Sequence, residues 1–393
     1  MRGFSRRSGN APRRRRGIFA LPTVFVASAA IVASGCGAQG GSSEGGSGQD
    51  VSGEGSGGGQ GVSVVASTTQ IADFVRNVGG DAVEEHQILQ PNTDPHDYEP
   101  RPEDVRQTAG ADLVFMNGQD LDPWVEDVVS ESGSEAQTID LSQSLSSPIE
   151  GAGEEHSEEG EAHEDEAHSD EAHADAGDEH AGEASAEGEA HSDEANAGEE
   201  DVHESEYDPH WWHDPRNAES AVEEIRDSLI EVDPENEQVY RDNAEAYLGE
   251  LGTLDSEIES CLTEVPEDER KLVTDHEAFG YFTERYGIEQ VGAVIPSQST
   301  QGQASAGDTA ELIETIESEG VLAVFPEESI NASLAETIAD ETGATAEYTL
   351  YGDTLGPEGS DGDTYLKMMA ANANSMTQGF TGGESTCEVP AGN

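Results

Sequence analysis

The chain has 393 residues and a formal net charge of −68, because 85 Asp and Glu stand against only 17 Lys and Arg. A surface this acidic repels a phosphate backbone, which excludes nucleic-acid binding. Acidic residues lie on predicted helices as well as in loops, so we interpret the charge as an adaptation to a salt-rich medium that screens self-repulsion.

The N-terminus predicts export and membrane attachment. Arginines at positions 13–16 precede an apolar run at 18–32, which is too short for a comfortable transmembrane helix and is typical of a signal peptide. Ala33-Ser34-Gly35-Cys36 resembles a bacterial lipobox. Residues 1–36 are therefore predicted to be a lipoprotein signal that leaves Cys36 lipidated, with a plain cleaved signal as the alternative. The Gly/Ser-rich residues 37–61 predict a flexible tether.

Apolar runs alternate with amphipathic stretches in the next part of the chain. Strands are predicted at 62–67, 83–89 and 111–116, and helices at 71–78, 102–109 and 123–130. Strands that alternate with helices are typical of a parallel sheet covered on both faces.

Residues 150–206 interrupt this pattern. They contain no Phe, Tyr or Trp, no Lys or Arg, and hardly any aliphatic residue larger than Ala. Such a segment buries too little apolar surface to offset the entropy of ordering it, so we predict a disordered acidic insert. Its histidines predict several loose, low-affinity metal sites; they are His156, His163, His168, His173, His180, His191 and His203.

The α/β pattern resumes after the insert. Helices are predicted at 217–232 and 235–263, strands at 271–274, 291–295, 321–325 and 347–350, and further helices at 278–286, 309–319, 333–342 and 363–376. The second helix should span on the order of 40 Å. The domains are therefore an N-terminal lobe (62–232), a linking helix (233–264) and a C-terminal lobe (265–393). Cys261 and Cys387 form an even pair in an exported domain, which predicts a disulfide.

Three motifs present one histidine each: His96, His210 and His276. His96 and His276 follow predicted strands, as does Asp353, and ligands of open α/β sheets bind beyond the carboxyl ends of strands. We therefore predict a site in the cleft between the halves. Imidazole is the commonest protein ligand of zinc, and three imidazoles with one carboxylate complete a tetrahedral shell. On its own pattern Asp353 is an ordinary turn aspartate. His213 is either an ordinary solvated or hydrogen-bonded histidine, a neighbour of the metal ligands or a spare ligand.

The motifs and their order resemble the zinc/manganese solute-binding lipoproteins of bacterial ABC transporters. The matching stretches are Asp94-Pro95-His96-Asp97-Tyr98-Glu99-Pro100, Asp208-Pro209-His210-Trp211-Trp212, His276-Glu277-Ala278-Phe279, Asp353-Thr354-Leu355-Gly356 and Thr364-Tyr365-Leu366. The resemblance covers residues 62–376 without the insert. It implies two α/β lobes with parallel sheets joined by one long rigid helix. It also implies that His96, His210, His276 and Asp353 are the metal ligands.

The predicted function is extracytoplasmic capture of Zn²⁺ and its delivery to an ABC permease with its ATPase. The chain would act as a monomer, anchored by lipid at Cys36 to the outer face of the cytoplasmic membrane, and would not be an enzyme. A manganese-specific member of the same family is the alternative, although manganese prefers more oxygen ligands. From other classes, a surface metal buffer or adhesin remains open, as does a zinc hydrolase, which would keep one coordination position for water. Family members with an acidic, histidine-rich insert are typically zinc proteins.

Overall fold

The computed structural model describes residues 61–151 and 206–391, which belong to one compact unit. The predicted signal, Cys36, nearly all of the tether and the seven insert histidines lie outside the described residues. Among the helices of the described part, none is long and apolar enough to cross a bilayer.

The first half is a parallel sheet flanked by helices. Its elements are β1 (Val62–Ala66), α1 (Thr69–Gly79), β2 (Val83–Gln87), α2 (Pro102–Thr108), β3 (Leu113–Met116), α3 (Trp124–Ser132) and β4 (Gln137–Asp140). The strand order is β2-β1-β3-β4, and every pairing is parallel. The central strands β1 and β3 are apolar because helices cover both of their faces. The sequence prediction missed β4, an edge strand that buries only Ile139 fully.

The second half also alternates strands with helices, but its sheet is less regular. It follows α4 (Pro215–Val232), which packs on α1 of the first half, and the linking helix α5 (Glu237–Leu262). Its own elements are β5 (Lys271–Thr274), α6 (Gly280–Tyr286), β6 (Glu289–Ala293), α7 (Ala306–Glu319), α8 (Ser333–Thr342) and α9 (Tyr365–Phe380). The strands predicted at 321–325 and 347–350 are wrong as full strands, since these segments make only isolated parallel bridges. Pro326 separates two of the bridged positions, and a proline has no N–H to continue a ladder.

Helix α5 connects the halves. Its 26 residues span about 39 Å, and one face is buried along its whole length, from Tyr240 to Leu262. The hydroxyl of Tyr247 donates to Asp73 in α1, 3.3 Å away, and the backbone N–H of Tyr365 in α9 donates to the same carboxylate at 3.1 Å. A disulfide joins Cys261 at the end of α5 to Cys387, as the cysteine count predicts.

Candidate metal centre

Four side chains converge where the carboxyl ends of the strands of the two halves face each other. They belong to His96 in the loop after β2, His210 just before α4, His276 just after β5, and Asp353 in the segment between α8 and α9. One ligand atom from each lies within 4.8 Å of those of the other three. These are the four positions that the family resemblance implies as ligands.

The spacing of these atoms suits a small tetrahedral ion. Nε2 of His210 and Nε2 of His276 are 3.3 Å apart. Oδ1 of Asp353 lies 3.5 Å from the first and 3.6 Å from the second. Ligands bonded to zinc at about 2.0–2.1 Å in a tetrahedron are separated by about 3.3–3.4 Å. The distances among His210, His276 and Asp353 are thus close to those of a zinc shell, and the ligand atom of His96 lies within 4.8 Å of the other three.

Two buried carboxylates orient the imidazoles. Oδ1 of Asp208 lies 2.7 Å from Nδ1 of His210, and Oε1 of Glu327 lies 3.0 Å from Nδ1 of His276. When one ring nitrogen of a neutral histidine donates to a carboxylate, the opposite ring nitrogen carries a lone pair. The hydrogen bond to the carboxylate also makes that opposite nitrogen more basic. When both rings are neutral, the two Nε2 atoms therefore present lone pairs toward each other and toward Asp353. Such an arrangement favours a positive charge at its centre, either a proton on His276 or a metal ion.

Burial leaves these groups without other partners. His210, His276 and Asp353 are completely buried, while His96 is partly exposed. Both carboxylate oxygens of Asp353 and Nε2 of His96 are buried without a hydrogen-bond partner. Buried polar atoms normally have a partner, so these orphaned atoms point to a ligand at their common centre.

The electrostatics of the centre favour one extra positive charge. Burial opposes a charge on His276, but Glu327 and Asp353 outweigh it and raise the pKa of His276 well above its ordinary value. Burial also opposes the charge on Asp353, but His276 and the other imidazoles overcome it, so the pKa of Asp353 is lowered. Burial lowers the pKa of His96 to about 3. Without a cation, a proton on His276 balances Asp353, and a metal ion would displace that proton.

The local sequence explains the geometry around two of the histidines. Both Asp-Pro-His motifs form the same turn, in which the aspartate accepts the histidine N–H at 2.9 Å: Asp94 for His96 and Asp208 for His210. The carboxylate of Asp208 additionally needs Gly280, since a Cβ there would lie 2.6 Å from Oδ2.

Glu327 is a site residue that sequence reasoning missed. It accepts both the backbone N–H and the ring N–H of His276, at 3.0 Å each. Its other oxygen occupies the space beside Gly352 where a side chain would begin. A glutamate two residues after a predicted apolar strand and a glycine next to Asp353 were the only sequence signals, and neither identifies a contact between segments that are distant in the chain.

His213 lies outside the group of four. It is fully buried and stacks on Phe279, with ring centroids 4.4 Å apart. Burial lowers its pKa to about 3. The structure therefore places it as a neutral packing partner next to the segment that carries His276.

The described ends of the insert meet beside the centre. Gly151 donates its backbone N–H to Glu206 at 2.9 Å, and Asp208 donates to Ile149 at 3.0 Å. The insert therefore leaves and rejoins the fold at one antiparallel bridge. This bridge lies directly before Asp208 and His210 in the chain.

Comparison with known proteins agrees with this arrangement. The family model of the periplasmic zinc-uptake complex component A (ZnuA) matches residues 64–379. The manganese-binding lipoprotein MntA of Halalkalibacterium halodurans is 27% identical over 353 residues, which are 90% of this chain and 95% of that protein. The metal ABC transporter substrate-binding lipoprotein SsaB of Streptococcus sanguinis is 28% identical over 81% of this chain and 89% of its own.

Solved structures share the fold. The periplasmic zinc-binding protein TroA from Treponema pallidum superposes with a TM-score of 0.62 at 24% identity. The match covers 81% of this chain and 99% of that chain. The similarity confirms the predicted α/β fold, and the family match confirms the resemblance found in the sequence.

Proposed function

The chain belongs to the family of the periplasmic zinc-uptake complex component A, and from this premise we propose that it binds Zn²⁺ through His96, His210, His276 and Asp353. Members of the family are metal-binding components of ABC transporters, so the chain is a solute-binding protein and not an enzyme. The observation that carries the proposal is the approach of the two Nε2 atoms to 3.3 Å of each other beside Asp353, whose buried carboxylate oxygens have no hydrogen-bond partner.

Zinc is supported by the ligand set. Three imidazoles and one carboxylate suit a borderline ion in a four-coordinate shell, and the separations among His210, His276 and Asp353 are close to those expected from bonds of about 2.0–2.1 Å. The four positions are supplied by the protein, which leaves none for a reacting water. A closed shell suits capture and transfer of the ion better than hydrolysis.

Manganese is the second candidate, because relatives such as MntA carry it in their names. The carboxylate of Asp353 can supply the additional oxygen ligand that manganese prefers. Neither of its oxygens has another partner, so it can bind in a bidentate manner and raise the coordination number, as manganese prefers. The two candidates differ in how many Asp353 oxygens the ion contacts.

A competition titration separates them. Protein prepared without metal would be titrated with Zn²⁺ and Mn²⁺ against a chromophoric chelator, as wild type and as His276→Ala. Removing one imidazole should weaken Zn²⁺ binding by orders of magnitude. His86→Ala is the matched control, since His86 is a half-buried histidine of β2 outside the centre. Unchanged affinity in His276→Ala would refute the ligand assignment, and tighter binding of Mn²⁺ than Zn²⁺ by the wild type would select manganese.

We further propose that lipid on Cys36 anchors the chain outside the cytoplasmic membrane, where it passes the ion, as a monomer, to a permease with its ATPase. The lipobox-like sequence before Cys36 supports the anchor. Fractionation of producing cells tests it: wild type should stay with the membrane, and Cys36→Ala should be released. Equal partition of the two proteins would contradict lipid attachment.

For the acidic insert we propose a role in gathering zinc at weak, exchanging sites. Closely spaced histidines and carboxylates support this role, and the bridge beside Asp208 supports transfer to the centre. Since Gly151 and Glu206 are already hydrogen-bonded, residues 152–205 can be replaced by a short glycine linker without separating the ends. The deletion should remove weak equivalents from a calorimetric titration and keep one tight equivalent. Loss of the tight equivalent would show that the insert supplies a ligand.

A further inference from the structure

His96 differs from the other three proposed ligands in its surroundings. It is the partly exposed member of the group, whereas His210, His276 and Asp353 are fully enclosed. It also lies in an irregular stretch, residues 88–101, which we name the His96 loop. Segments with exposed hydrogen bonds and no regular structure open at the lowest free-energy cost. The His96 loop is therefore the part of the shell that can leave first.

The His96 loop is attached to the first half by its apolar residues. The indole N–H of Trp124 donates to the carbonyl of Pro95 at 3.2 Å, and the ring of Tyr98 packs on Trp124 with centroids 4.8 Å apart. These contacts keep the loop on its own half. These contacts do not explain what holds His96 close to the ligands of the second half.

Two residues of the second half supply that connection next to His96, while Asn92 of the same loop donates its N–H to the hydroxyl of Thr354 at 3.0 Å. The hydroxyl of Thr300 donates to Oδ2 of Asp94 at 2.6 Å. The side-chain amide of Gln301 donates to the backbone carbonyl of His96. We name these two hydrogen bonds the rim latch. Asp94 uses its other oxygen to accept the N–H of His96, so the latch acts on His96 from both sides of its peptide unit.

The latch residues sit on a rigid support. Ser297 accepts the N–H of Glu277, the residue after His276, at 3.0 Å. Ser299 donates its own N–H to the hydroxyl of Ser297 at 3.0 Å, and Gly302 packs so closely on Ser297 that a Cβ would lie 2.8 Å away. This compact turn connects the His276 segment to the latch. Thr300 and Gln301 therefore fix the position of His96 relative to His276.

The other ties between the halves are of a different kind. The indole of Trp212 donates to Gly352 at 3.2 Å, the hydroxyl of Tyr365 donates to Trp212 at 2.7 Å, and Gln70 donates to Asp353 at 2.9 Å. All three bonds are buried, so water does not compete for them. The rim latch is part-buried at Thr300 and exposed at Gln301. Water can replace it, and the rest of the centre stays assembled.

We propose that Thr300 and Gln301 are positioning residues that hold His96 in the metal shell and thereby set the rate of metal release. This inference rests on the proposed function. Opening of the rim latch frees the segment around His96, with Asn92 still bonded to Thr354, and so removes one imidazole and leaves the ion on three buried ligands. Loss of one ligand weakens the shell, so the ion departs through the rim on which the latch lies.

The test measures release kinetics. Zinc-loaded protein is mixed with excess chelator in a stopped-flow instrument, as wild type, Thr300→Val, Gln301→Ala and Thr300→Ser. Thr300→Val keeps the shape of the side chain and removes the hydrogen bond, so release should be about tenfold faster, as expected for one lost hydrogen bond. Thr300→Ser should restore the wild-type rate. Thr309→Val is the matched control, because the Thr309 hydroxyl bonds locally, to the carbonyl of the N-cap residue Ser305 of α7 at 3.1 Å.

A second readout does not depend on metal. Hydrogen exchange of the metal-free protein should speed up at residues 92–99 in Thr300→Val and Gln301→Ala, with the same Tm as the wild type. Wild-type release rates in both variants, or no rescue by Thr300→Ser, would overturn the inference while leaving metal binding intact. A wild-type chain that binds no metal would overturn the proposed function and this inference with it.

Discussion

Replacement of Glu327 by glutamine tests the electrostatic design of the centre. The carboxylate accepts two N–H groups of His276 with Oε1, and glutamine can accept both with its amide oxygen. The amide nitrogen takes the place of Oε2, which has no partner in the wild type. The shape and the two hydrogen bonds are thus kept. Only the negative charge is lost.

The expected loss of affinity follows from this geometry. The Glu327 oxygen lies 3.0 Å from Nδ1, and an ion on Nε2 of the same ring lies about 6–7 Å from that oxygen, given a metal–nitrogen bond of about 2.0–2.1 Å. A divalent ion displaces the proton on His276, so the centre gains one unit of charge on binding. At an effective dielectric constant of about 20, one unit of charge at that distance corresponds to about 2.5 kcal/mol. The dissociation constant should therefore rise about 10- to 100-fold, the usual range for such contacts.

Isothermal titration in two buffers with different ionisation heats measures both the affinity and the protons released. Because Glu327 raises the pKa of His276, the wild type should release about one proton at pH 7 and Glu327→Gln should release fewer. Asp255→Asn is the control, since Asp255 is a partly buried carboxylate paired with Arg285, 2.6 Å away, outside the centre. Wild-type affinity in Glu327→Gln, or weaker affinity with undiminished proton release, would refute the reasoning.

Further predictions concern the ligands, the pH and the disulfide. Asp353→Ala should weaken zinc binding less than His276→Ala, because a water can replace one carboxylate; competition titration ranks the two, and the reverse order would contradict a water-filled position. The pKa of His276 is raised, so the proton competes with the metal below that pKa, and affinity should fall about tenfold for each pH unit lowered; a flat profile between pH 6 and 8 would contradict a proton held at the centre. The disulfide closes a separation of 126 residues, so Cys387→Ser should lower the free energy of unfolding by about 2–5 kcal/mol in urea titrations. Reductant should then lower the free energy of unfolding of the wild type but not that of Cys387→Ser. Alkylation of two thiols in the unreduced wild type would show that Cys261 and Cys387 are not joined.

Local patterns were sufficient for most of the elements. Helix α8 and strand β5 have the predicted bounds, and the other predicted helices differ by a few residues at their ends, where capping rather than periodicity decides. The two Asp-Pro-His motifs form the same turn because the aspartate and the N–H that it accepts are two residues apart. Such contacts are encoded within a short window of sequence. The resemblance to a family then identified the four positions that the fold brings together.

Other features depended on the tertiary structure. The partner of His276 is Glu327, 51 residues away, and the partner of Asp94 is Thr300, 206 residues away. Residues 321–325 look like a full strand by composition, yet only isolated bridges form there. A hydrogen bond acts over about 3 Å, so whether two distant segments share one is decided by how the halves pack on α5. The sequence determined which residues carry the chemistry, and the packing determined which carboxylate orients each imidazole and which bonds hold the rim.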